Sequence, residues 1–406
     1  MKDVCVIGAG AAGLAAAKHS LELNLNVTVY EQANQLGGTW IYSDQTNSHT
    51  SMYTDLKTNT AKEAMMFENF RYPDDKPSFL DSQDVLDYLK KYAEGLPIKY
   101  NHTVKQVARE GEKWRVIVDE IGIVSSFLYD IVFVCNGHYF DPYIPLDYSR
   151  FKGVTLHSHD YRRASDYRGQ NVLIIGAGFS GIDIALQLAD QNVQVTLMGR
   201  DAKYKDIPSN ITQIAEQIAE IVEDGAIAKS GVRIGSIDTI IFATGYNIKF
   251  PFLSSDIVDI KVNNQMISPL YEHVVHIRYP TSLYFIGICH LAITFPLFEI
   301  QARMALSFAL GKKPLPPQHE LESFEMKWWM HQEKRGLLER RFHELSDSQW
   351  EYAHRINQFA YRPYRTEYIE LLRGIYQSIW QERERPRAFR NANFRVDYEN
   401  LTFEIV

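Results

Sequence analysis

Apolar and polar positions follow the same order in two stretches of the chain. The first stretch begins with an apolar, β-branched run at residues 3–7, which is typical of a buried parallel strand. A glycine-rich turn at 8–13 follows, and strong helix formers continue to residue 23. A second short strand is predicted at 26–30, and Glu31 comes directly after it. The pattern predicts a strand, a tight turn, a helix, a second strand and an acid.

This order returns near the middle of the chain. An apolar run at 171–175 leads into a second glycine turn at 176–181, and a predicted helix extends to residue 189. The apolar run at 194–198 then ends on Gly199 and Arg200. The pattern predicts a second unit of the same kind, which carries a different residue type at the end of its second strand.

The glycine spacing of the first unit fits a dinucleotide. Gly8 permits the tight turn, Gly10 lets the backbone approach a pyrophosphate, and Gly13 lets the helix lie close to the sheet. Free N–H groups at the helix N-terminus favour the phosphates. Glu31 is placed to accept hydrogen bonds from both hydroxyl groups of an adenosine ribose, where a 2′-phosphate would be repelled. The first unit is therefore predicted to bind FAD or NAD.

Charge at the end of the second strand distinguishes the second unit from the first. Its turn again has the required glycine spacing, at Gly176, Gly178 and Gly181. Arg200, or its neighbour, takes the position that Glu31 has in the first unit. A guanidinium group at that point can bind a 2′-phosphate with two hydrogen bonds, which predicts NADPH rather than NADH. Two different dinucleotides held in one chain predict hydride transfer from NADPH to FAD.

Further strands are predicted between and after the two units. Short alternating runs from 98 to 130 predict a small antiparallel meander, and the apolar run at 130–135 predicts a returning central strand that ends at Asn136. A helical stretch is predicted around 211–223. The strand predicted at 236–242 resembles the one that ends at Asn136, and each of the two is expected to mark a crossing between domains.

The remaining pattern is a strand followed by helices. A buried strand is predicted at 282–287, where Gly287 allows a cofactor to approach, and a helix is predicted at 297–310. The chain to about residue 380 is predicted to be helical, and its many aromatic side chains are expected to pack against the preceding domain. The predicted fold class is α/β, with two Rossmann-like domains and a C-terminal helical segment.

Composition excludes several classes of protein. The 406 residues suit two domains, and a net charge of −7 with a pI near 6.0 argues against a nucleic-acid partner. Neither a signal peptide nor a membrane span is predicted, and no metal site is. Cys5, Cys135 and Cys289 have no paired spacing, which indicates a reducing, cytoplasmic location and excludes a dithiol disulfide reductase.

The stretch between the two units carries the most specific signal. Phe151, Gly153, His157 and Tyr161 match the FxGxxxHxxx(Y/F) signature, and the chain thereby resembles the flavin-containing monooxygenases. The resemblance covers nearly the whole chain. Further matching segments are Gly37 to Trp40, Thr58 to Thr60, Asn136 to His138, Gly178 to Asp183, Ala243 to Tyr246 and Phe298 to Arg303.

This resemblance implies a reaction. NADPH reduces FAD, O₂ adds to flavin C4a, and the distal oxygen of the hydroperoxide passes to a soft nucleophilic nitrogen or sulfur of a small amine or thioether. Asn59 matches the family's active-site asparagine, so it is the candidate catalytic residue, whereas His157 is interpreted as a packed linker residue. The chain is most similar to compact insect members, some of which N-oxidise pyrrolizidine alkaloids. Baeyer–Villiger oxygenation of ketones and an NADPH oxidase that releases H₂O₂ stay open as alternatives, as does assembly into a homo-oligomer.

The predicted division assigns 1–145 and 236–330 to the FAD domain, 146–235 to the inserted NADPH domain and 331–406 to a helical extension packed on the FAD domain. The predicted cofactor-binding residues lie in the two glycine turns, after the strands and in the matching segments. They are Gly8, Gly10, Ala11, Ala12, Gly13, Glu31, Gln32, Gly38, Thr39, Trp40, Thr58, Asn59, Asn136, Gly176, Gly178, Phe179, Ser180, Gly181, Arg200, Ala243, Thr244, Gly245, Gly287 and Gln301.

Overall fold

A computed structural model describes residues 1–46, 49–200, 202–261, 265–337 and 339–406. Its α-helices are α1 (Ala11–Glu22), α2 (Ser82–Tyr92), α3 (Phe179–Asp190), α4 (Thr294–Ala309), α5 (Gln318–Lys334), α6 (Gln349–Asn357) and α7 (Thr366–Glu382). Its first strands are β1 (Asp3–Ile7), β2 (Asn26–Tyr30), β3 (Ile98–Lys99), β4 (His102–Glu110), β5 (Lys113–Glu120), β6 (Ile123–Tyr129), β7 (Ile131–Val134), β8 (Val154–His157), β9 (Asn171–Ile175), β10 (Gln194–Met198) and β11 (Ile211–Ile214). The later strands are β12 (Ile218–Val222), β13 (Gly225–Ala228), β14 (Arg233–Ile234), β15 (Thr239–Phe242), β16 (Asp259–Lys261), β17 (Met266–Ser268), β18 (Leu270–Tyr271), β19 (Val275–His276), β20 (Leu283–Phe285), β21 (Phe394–Asp397) and β22 (Thr402–Ile405).

The larger sheet contains the first predicted unit at its centre. Its strand order is β18-β19-β20-β7-β1-β2-β3, and β1 pairs in parallel with both β2 and β7. The carboxyl ends of β1, β2, β7 and β20 therefore meet at one edge of the sheet, where open α/β sheets bind ligands. The predicted return of the chain through β7 is confirmed, and so is the antiparallel meander, which forms a separate sheet in the order β4-β5-β6.

The smaller sheet contains the second predicted unit. Its strand order is β11-β10-β9-β15-β8, with parallel pairing throughout. β15 lies between β9 and β8, so the predicted domain boundary at residue 235 is wrong. β15 belongs to the second domain because it pairs with β9 on the side away from β10. In the same way, β7 pairs with β1 on the side away from β2 in the first domain. The chain leaves this domain only after Phe242.

Residues 211–223 form strands, so the predicted helix is wrong there. β11 extends the smaller sheet by pairing with β10, and β12 pairs with β13 in a three-stranded antiparallel sheet. Isoleucines at 211, 214, 218 and 221 recur at helical spacing, but their β-branched side chains also suit strands. Pairing with a preformed sheet decides between the two.

The C-terminal segment packs on the larger domain, but it is not helical to its end. Its helices contribute buried aromatic side chains to the same apolar core as β1 and α1, and examples are Phe324, Trp328 and Trp350. After α7 the chain ends in the antiparallel hairpin of β21 and β22, which corrects the prediction of helix over 331–406. In the part of the chain that the structure describes, no helix has the length and apolar character needed to cross a bilayer.

Candidate dinucleotide sites

The first glycine turn lies against the strand that returns beside it. Gly8 has φ of +100°, and a Cβ on it would lie 2.5 Å from the carbonyl oxygen of Cys135. A Cβ on Gly13 would lie 1.9 Å from the carbonyl oxygen of Gly8, so α1 can approach β1 only without a side chain there. Both glycines therefore have the steric roles that their spacing predicts.

A second loop covers the first turn. The N–H of Gly37 donates to the carbonyl oxygen of Ala9 at 3.0 Å, and a Cβ on Gly38 would lie 3.1 Å from the Cα of Gly10. Backbone thus faces backbone at Gly10 and Gly38, without a side chain between them. In the short 3₁₀ turn that follows, Thr39 is exposed and Trp40 is half-buried against the core. The backbone surface at Gly10 and Gly38 has no side chains, which is what close approach of a pyrophosphate requires.

Glu31 is buried directly after β2. One carboxylate oxygen accepts the N–H of Ala9 and the other accepts the N–H of Ala33, both at 2.8 Å. Burial raises the pKa of Glu31, and the backbone N–H groups of Ala33, Ala9 and Gln32 oppose that rise. Each carboxylate oxygen can still accept a further hydrogen bond, so the acid is held in place and keeps acceptor capacity for two ribose hydroxyl groups.

Gly287 and Gln301 lie at the start of α1. Gly287 follows β20 with φ of +85°, and a Cβ on it would lie 3.3 Å from the Cβ of Ala12. Its N–H donates to the Oε1 of Gln301, a fully buried residue of α4 whose Nε2 donates to the hydroxyl group of Tyr352. The structure therefore brings Gly287 and Gln301 to the same edge as the first glycine turn, although both lie far from that turn in sequence.

The second glycine turn repeats this geometry. Gly176 has φ of +112°, and its Cβ would lie 2.2 Å from the carbonyl oxygen of Ala243. A Cβ on Gly181 would lie 1.9 Å from the carbonyl oxygen of Gly176, whereas a Cβ on Gly178 would meet nothing within 4 Å. Phe179 is half-buried and Ser180 is exposed at the start of α3. The open space at Gly178 leaves its backbone accessible to a ligand.

The position that corresponds to Glu31 is Gly199, not Arg200. Gly199 is the first residue after β10, as Glu31 is the first after β2, and Arg200 comes one residue later. A Cβ on Gly199 would lie 2.8 Å from the backbone nitrogen of Ala177, the counterpart of Ala9. Arg200 is exposed, and no ion pair joins it to another residue in the described ranges. The second unit thus has a closely packed glycine in place of the acid, followed by a cation.

The candidate catalytic residue lies on a segment between the two domains. Thr58 is buried, and its hydroxyl group accepts the N–H of Leu80 at 3.0 Å. Arg390 donates from Nε to the carbonyl oxygen of Thr58 and from Nη1 to Asp183 of α3. Asn59 itself is exposed, and its Oδ1 accepts a long hydrogen bond from Thr60 at 3.5 Å. The structure brings this segment to α3, and in the described ranges no hydrogen bond joins the Asn59 side chain to either glycine turn.

Two chain crossings join the domains and hydrogen-bond to each other. The amide of Asn136 donates to the carbonyl oxygen of Lys249 at 3.1 Å, and the N–H of Tyr143 donates to the carbonyl oxygen of Gly245 at 2.9 Å. The hydroxyl group of Thr244 donates to the carbonyl oxygen of Tyr143. These hydrogen bonds therefore fix the position of one crossing against the other. They do so in addition to any contact that Asn136, Thr244 and Gly245 make with a cofactor.

The residues of the signature motif are structural. Gly153 packs so that a Cβ would lie 2.3 Å from the carbonyl oxygen of Asp238. His157 is buried at the end of β8, where burial lowers its pKa to about 4. Tyr161 is fully buried, and its hydroxyl group donates to Gln187 of α3 at 3.1 Å. The interpretation of His157 as a packed linker residue agrees with this environment.

Two arginines of the crossing region were missed by sequence reasoning. Arg162 is buried, and its guanidinium group donates to the carbonyl oxygens of Ser43 and His159 at 2.6 and 2.7 Å. Its position directly after Tyr161 was the available signal. Arg340 lies against Tyr143, and nothing in its local sequence sets it apart from the neighbouring Arg341.

The sequence profile described as FMO-like, flavin-binding monooxygenase-like, matches residues 1–205 and 204–361. The chain belongs to the flavin-containing monooxygenase family. It is 31% identical to the Arabidopsis thaliana protein named flavin-containing monooxygenase FMO GS-OX-like 6 over 382 residues, which are 86% of this chain and 81% of that protein. The predicted family is therefore confirmed.

Two solved structures of similar proteins have the same fold over nearly their whole length. S-allyl-L-cysteine S-oxygenase from Allium sativum matches with a TM-score of 0.88 and 28% identity, covering 98% of this chain and 96% of its own. Tmm from Pelagibacter sp. strain HTCC7211 matches with a TM-score of 0.85 and 26% identity, covering 99% and 95%. They confirm the predicted α/β fold with two dinucleotide-binding domains.

The chain is thus a flavin monooxygenase with FAD and NADP as its cofactors. The side-chain-free surface around Gly10 and Gly38 and the buried acceptor Glu31 fit a flavin dinucleotide in the first unit. FAD, when bound, supplies two-electron transfer and the activation of O₂. The chain's own part is to hold the two dinucleotides, to exclude water and to position the substrate.

Proposed function

We propose that this protein is an NADPH-dependent monooxygenase that oxygenates soft nucleophiles, a thioether sulfur or a tertiary amine nitrogen. NADPH supplies two electrons, one atom of O₂ is added to the sulfur or nitrogen, and the other atom leaves as water. The observation that carries the proposal is the pairing of two like-built units whose strand ends differ, with Glu31 in one and Gly199 and Arg200 in the other.

Preference for NADPH follows from the second unit. An acid at the Gly199 position would repel a 2′-phosphate. The close packing of Gly199 on Ala177 leaves no space for an acidic side chain at this position. Arg200 is exposed and free of ion pairs within the described ranges, so its guanidinium group is available to a phosphate. Glycines 176, 178 and 181, with the α3 N-terminus, would bind the pyrophosphate. Ala243, Thr244 and Gly245 would line the same site.

The first unit is proposed to hold FAD. Gly8, Gly10, Gly13 and the start of α1 would bind its pyrophosphate, and Glu31 its adenosine ribose. We assign residues 1–145 and 243–330 to this domain and residues 146–242 to the NADPH domain, because β15 belongs to the smaller sheet. Asn59 is proposed to act through its exposed amide, which can donate and accept hydrogen bonds between the two cofactors.

A thioether is the substrate that the comparisons favour. The Allium sativum relative is named an S-oxygenase, and the two chains cover each other almost completely. Buried histidines around the crossings add no charge, because burial lowers the pKa of His138 to about 3 and that of His157 to about 4. Uncharged histidines suit a reaction in which the substrate needs no protein acid or base. N-oxygenation of alkaloids stays a prediction.

Isotope labelling tests the proposal. Purified protein with FAD is given NADPH under ¹⁸O₂ with a thioether, a tertiary amine or a cyclic ketone, and products are analysed by mass spectrometry. One ¹⁸O atom in the sulfoxide or N-oxide is the expected result. Labelled lactone from the ketone alone would favour Baeyer–Villiger chemistry, and H₂O₂ equal to the NADPH consumed, without labelled product, would favour an oxidase.

A further inference from the structure

Arg340 has no counter-ion among the side chains that the structure describes. Its guanidinium carbon lies 3.2 Å from the ring centroid of Tyr143, and its Nη1 is buried without a hydrogen-bond partner. No carboxylate pairs with it in the described ranges. The adjacent Arg341 differs, because its Nε pairs with Glu344 at 3.4 Å. Burial lowers the pKa of Arg340, and the side chain of Tyr143 opposes that shift.

Three other arginines withdrawn from solvent in the described ranges have their charge compensated, and Arg162 is compensated by the carbonyl oxygens of Ser43 and His159. Arg303 pairs with Glu68 and Glu299, and Arg390 pairs with Asp183. Removing a cation from water is unfavourable unless an anion or a set of hydrogen bonds compensates it. Arg340 differs from all three, because its buried Nη1 has neither a carboxylate nor a carbonyl oxygen as partner. An anion from outside the chain would complete its environment.

The segment that carries Arg340 lies beside both candidate sites. On one side is Tyr143, whose N–H donates to the carbonyl oxygen of Gly245 in the crossing from the second domain. On the other side, the N–H of His290 donates to the carbonyl oxygen of His343 at 3.2 Å, and His290 comes three residues after Gly287. Arg340 thus lies on a segment between the crossing at Gly245 and the turn after β20, and both carry residues that the proposed function assigns to cofactor binding.

We propose that Arg340 is a specificity-determining residue that binds an anionic group, a carboxylate in the first instance, on the thioether substrate. This proposal rests on the proposed function and names the substrate class of that site. A planar guanidinium group binds a carboxylate with two parallel hydrogen bonds, and the Tyr143 ring beneath it fixes its plane. The phosphates of NADP are the other source of an anion.

A matched pair of probes tests the inference. para-(Methylthio)benzoate and para-(methylthio)benzyl alcohol share the thioether and differ in charge. Their dissociation constants are measured without turnover, from the change in flavin absorbance under anaerobic conditions, and kcat/KM is then measured with NADPH. Wild type is expected to bind the acid about tenfold more tightly than the alcohol, and Arg340→Gln should remove that difference.

Two variants serve as controls. Arg340→Lys should keep part of the preference for the acid, since the charge remains while the two-point geometry is lost. Arg341→Gln, on the same turn, should behave as wild type because its partner is Glu344. Flavin content and melting temperature establish that each variant is folded.

Three outcomes would overturn the inference. Wild type could bind the two probes equally, the Arg340→Gln variant could lose affinity for both to the same degree, or the variant could raise the KM for NADPH and leave the acid preference intact. The last result would assign Arg340 to a phosphate of NADP. If wild type binds the acid more tightly but oxygenates neither probe, the proposed function fails while the anion site stands.

Discussion

The two dinucleotide-binding units have nearly the same backbone and different ends. Each has a five-residue strand, a glycine turn and a twelve-residue helix, and each turn packs on the carbonyl oxygen of a returning strand, that of Cys135 in one and Ala243 in the other. They differ after the second strand, where the first has Glu31 and the second has Gly199. We propose that backbone geometry defines each dinucleotide site and that the residue at this position selects the dinucleotide.

The helices of the two units also differ at their far ends. Glu22 at the end of α1 accepts a hydrogen bond from His19, which is buried beside Glu299 of α4. The corresponding Asp190 at the end of α3 makes an exposed ion pair with Arg387. The far end of α1 is therefore joined to the protein core, whereas the far end of α3 is held by an exposed ion pair. We expect changes in the first unit to affect the whole protein more strongly.

Adding a methyl group at the third glycine of each turn should have the largest effect. Gly13→Ala and Gly181→Ala each place a Cβ 1.9 Å from a backbone carbonyl oxygen, which cannot move aside. We expect each to destabilise its domain by about 3 kcal/mol or more. Gly13→Ala should lose flavin, and Gly181→Ala should keep flavin and lose NADPH binding. Melting temperature and flavin content measure this, with Gly178→Ala as the control that keeps its stability.

Glu31→Ala should weaken FAD binding without unfolding the protein. The variant loses acceptors for the ribose and leaves the N–H groups of Ala9 and Ala33 without their partner. The expected loss is about 3 kcal/mol of FAD affinity, and NADPH affinity should not change. Titration of the apoprotein with FAD gives the dissociation constant. A matched loss of NADPH affinity would show that the two units do not act separately.

Arg200→Ala should change the choice between NADPH and NADH. Loss of a charge-assisted hydrogen bond to the 2′-phosphate should lower kcat/KM for NADPH roughly thirtyfold, which corresponds to about 2 kcal/mol. The kcat/KM for NADH should not change. Steady-state kinetics with each coenzyme measures the ratio. The exposed Arg168, which contacts Gln191, offers a control as Arg168→Ala. Equal losses with both coenzymes would remove Arg200 from this role.

Asn59→Ala tests a residue that belongs to neither unit. Flavin reduction by NADPH should stay at the wild-type rate, while the amount of sulfoxide formed for each NADPH should fall about tenfold, or 1.4 kcal/mol. Product and H₂O₂ are measured in the same sample, because the lost product should reappear as H₂O₂. An unchanged product yield would show that Asn59 is not catalytic.

The smallest effect is expected from removing the carboxyl charge of Glu22 at the end of α1. The hydrogen bond from His19 lowers the pKa of Glu22 to about 2 from an ordinary 4.5, with further support from Arg362 and Tyr361. A depressed carboxyl pKa stabilises the folded state above about pH 4.5, and this contribution is lost as pH falls toward 2. Glu22→Gln should therefore lower the free energy of unfolding at neutral pH by under about 1 kcal/mol, which is measured as a slightly lower melting temperature. The difference from wild type should shrink in acid. An effect that grew in acid would contradict this sign.

Sequence reasoning found the parts whose signal is local. The order of strand, glycine turn and helix predicted both units because each step depends on residues a few positions apart. The boundary at residue 235 was wrong because membership of β15 in a sheet depends on its pairing with β9 and β8, which lie far away in sequence. The helix predicted around 211–223 failed for the same reason, since sheet pairing overrode the local pattern.

The site shows the same limit. Glu31 could be singled out because it directly follows a strand, but the prediction left open whether Arg200 or its neighbour takes the corresponding position, and only the register of β10 shows that Gly199 does. Arg340 could not be found at all. Its environment is set by the ring of Tyr143, which lies on a crossing far away in sequence.

The most direct test of the division between the two units is anaerobic reduction of the bound flavin, followed by stopped-flow absorbance in the wild-type protein. NADPH and NADH are mixed in turn with the FAD-bound enzyme, and the apparent dissociation constant and limiting rate of reduction are obtained for each. The account predicts that NADPH reduces the flavin with an apparent dissociation constant at least about tenfold lower than that of NADH. Equal constants, or no reduction by NADPH, would contradict it.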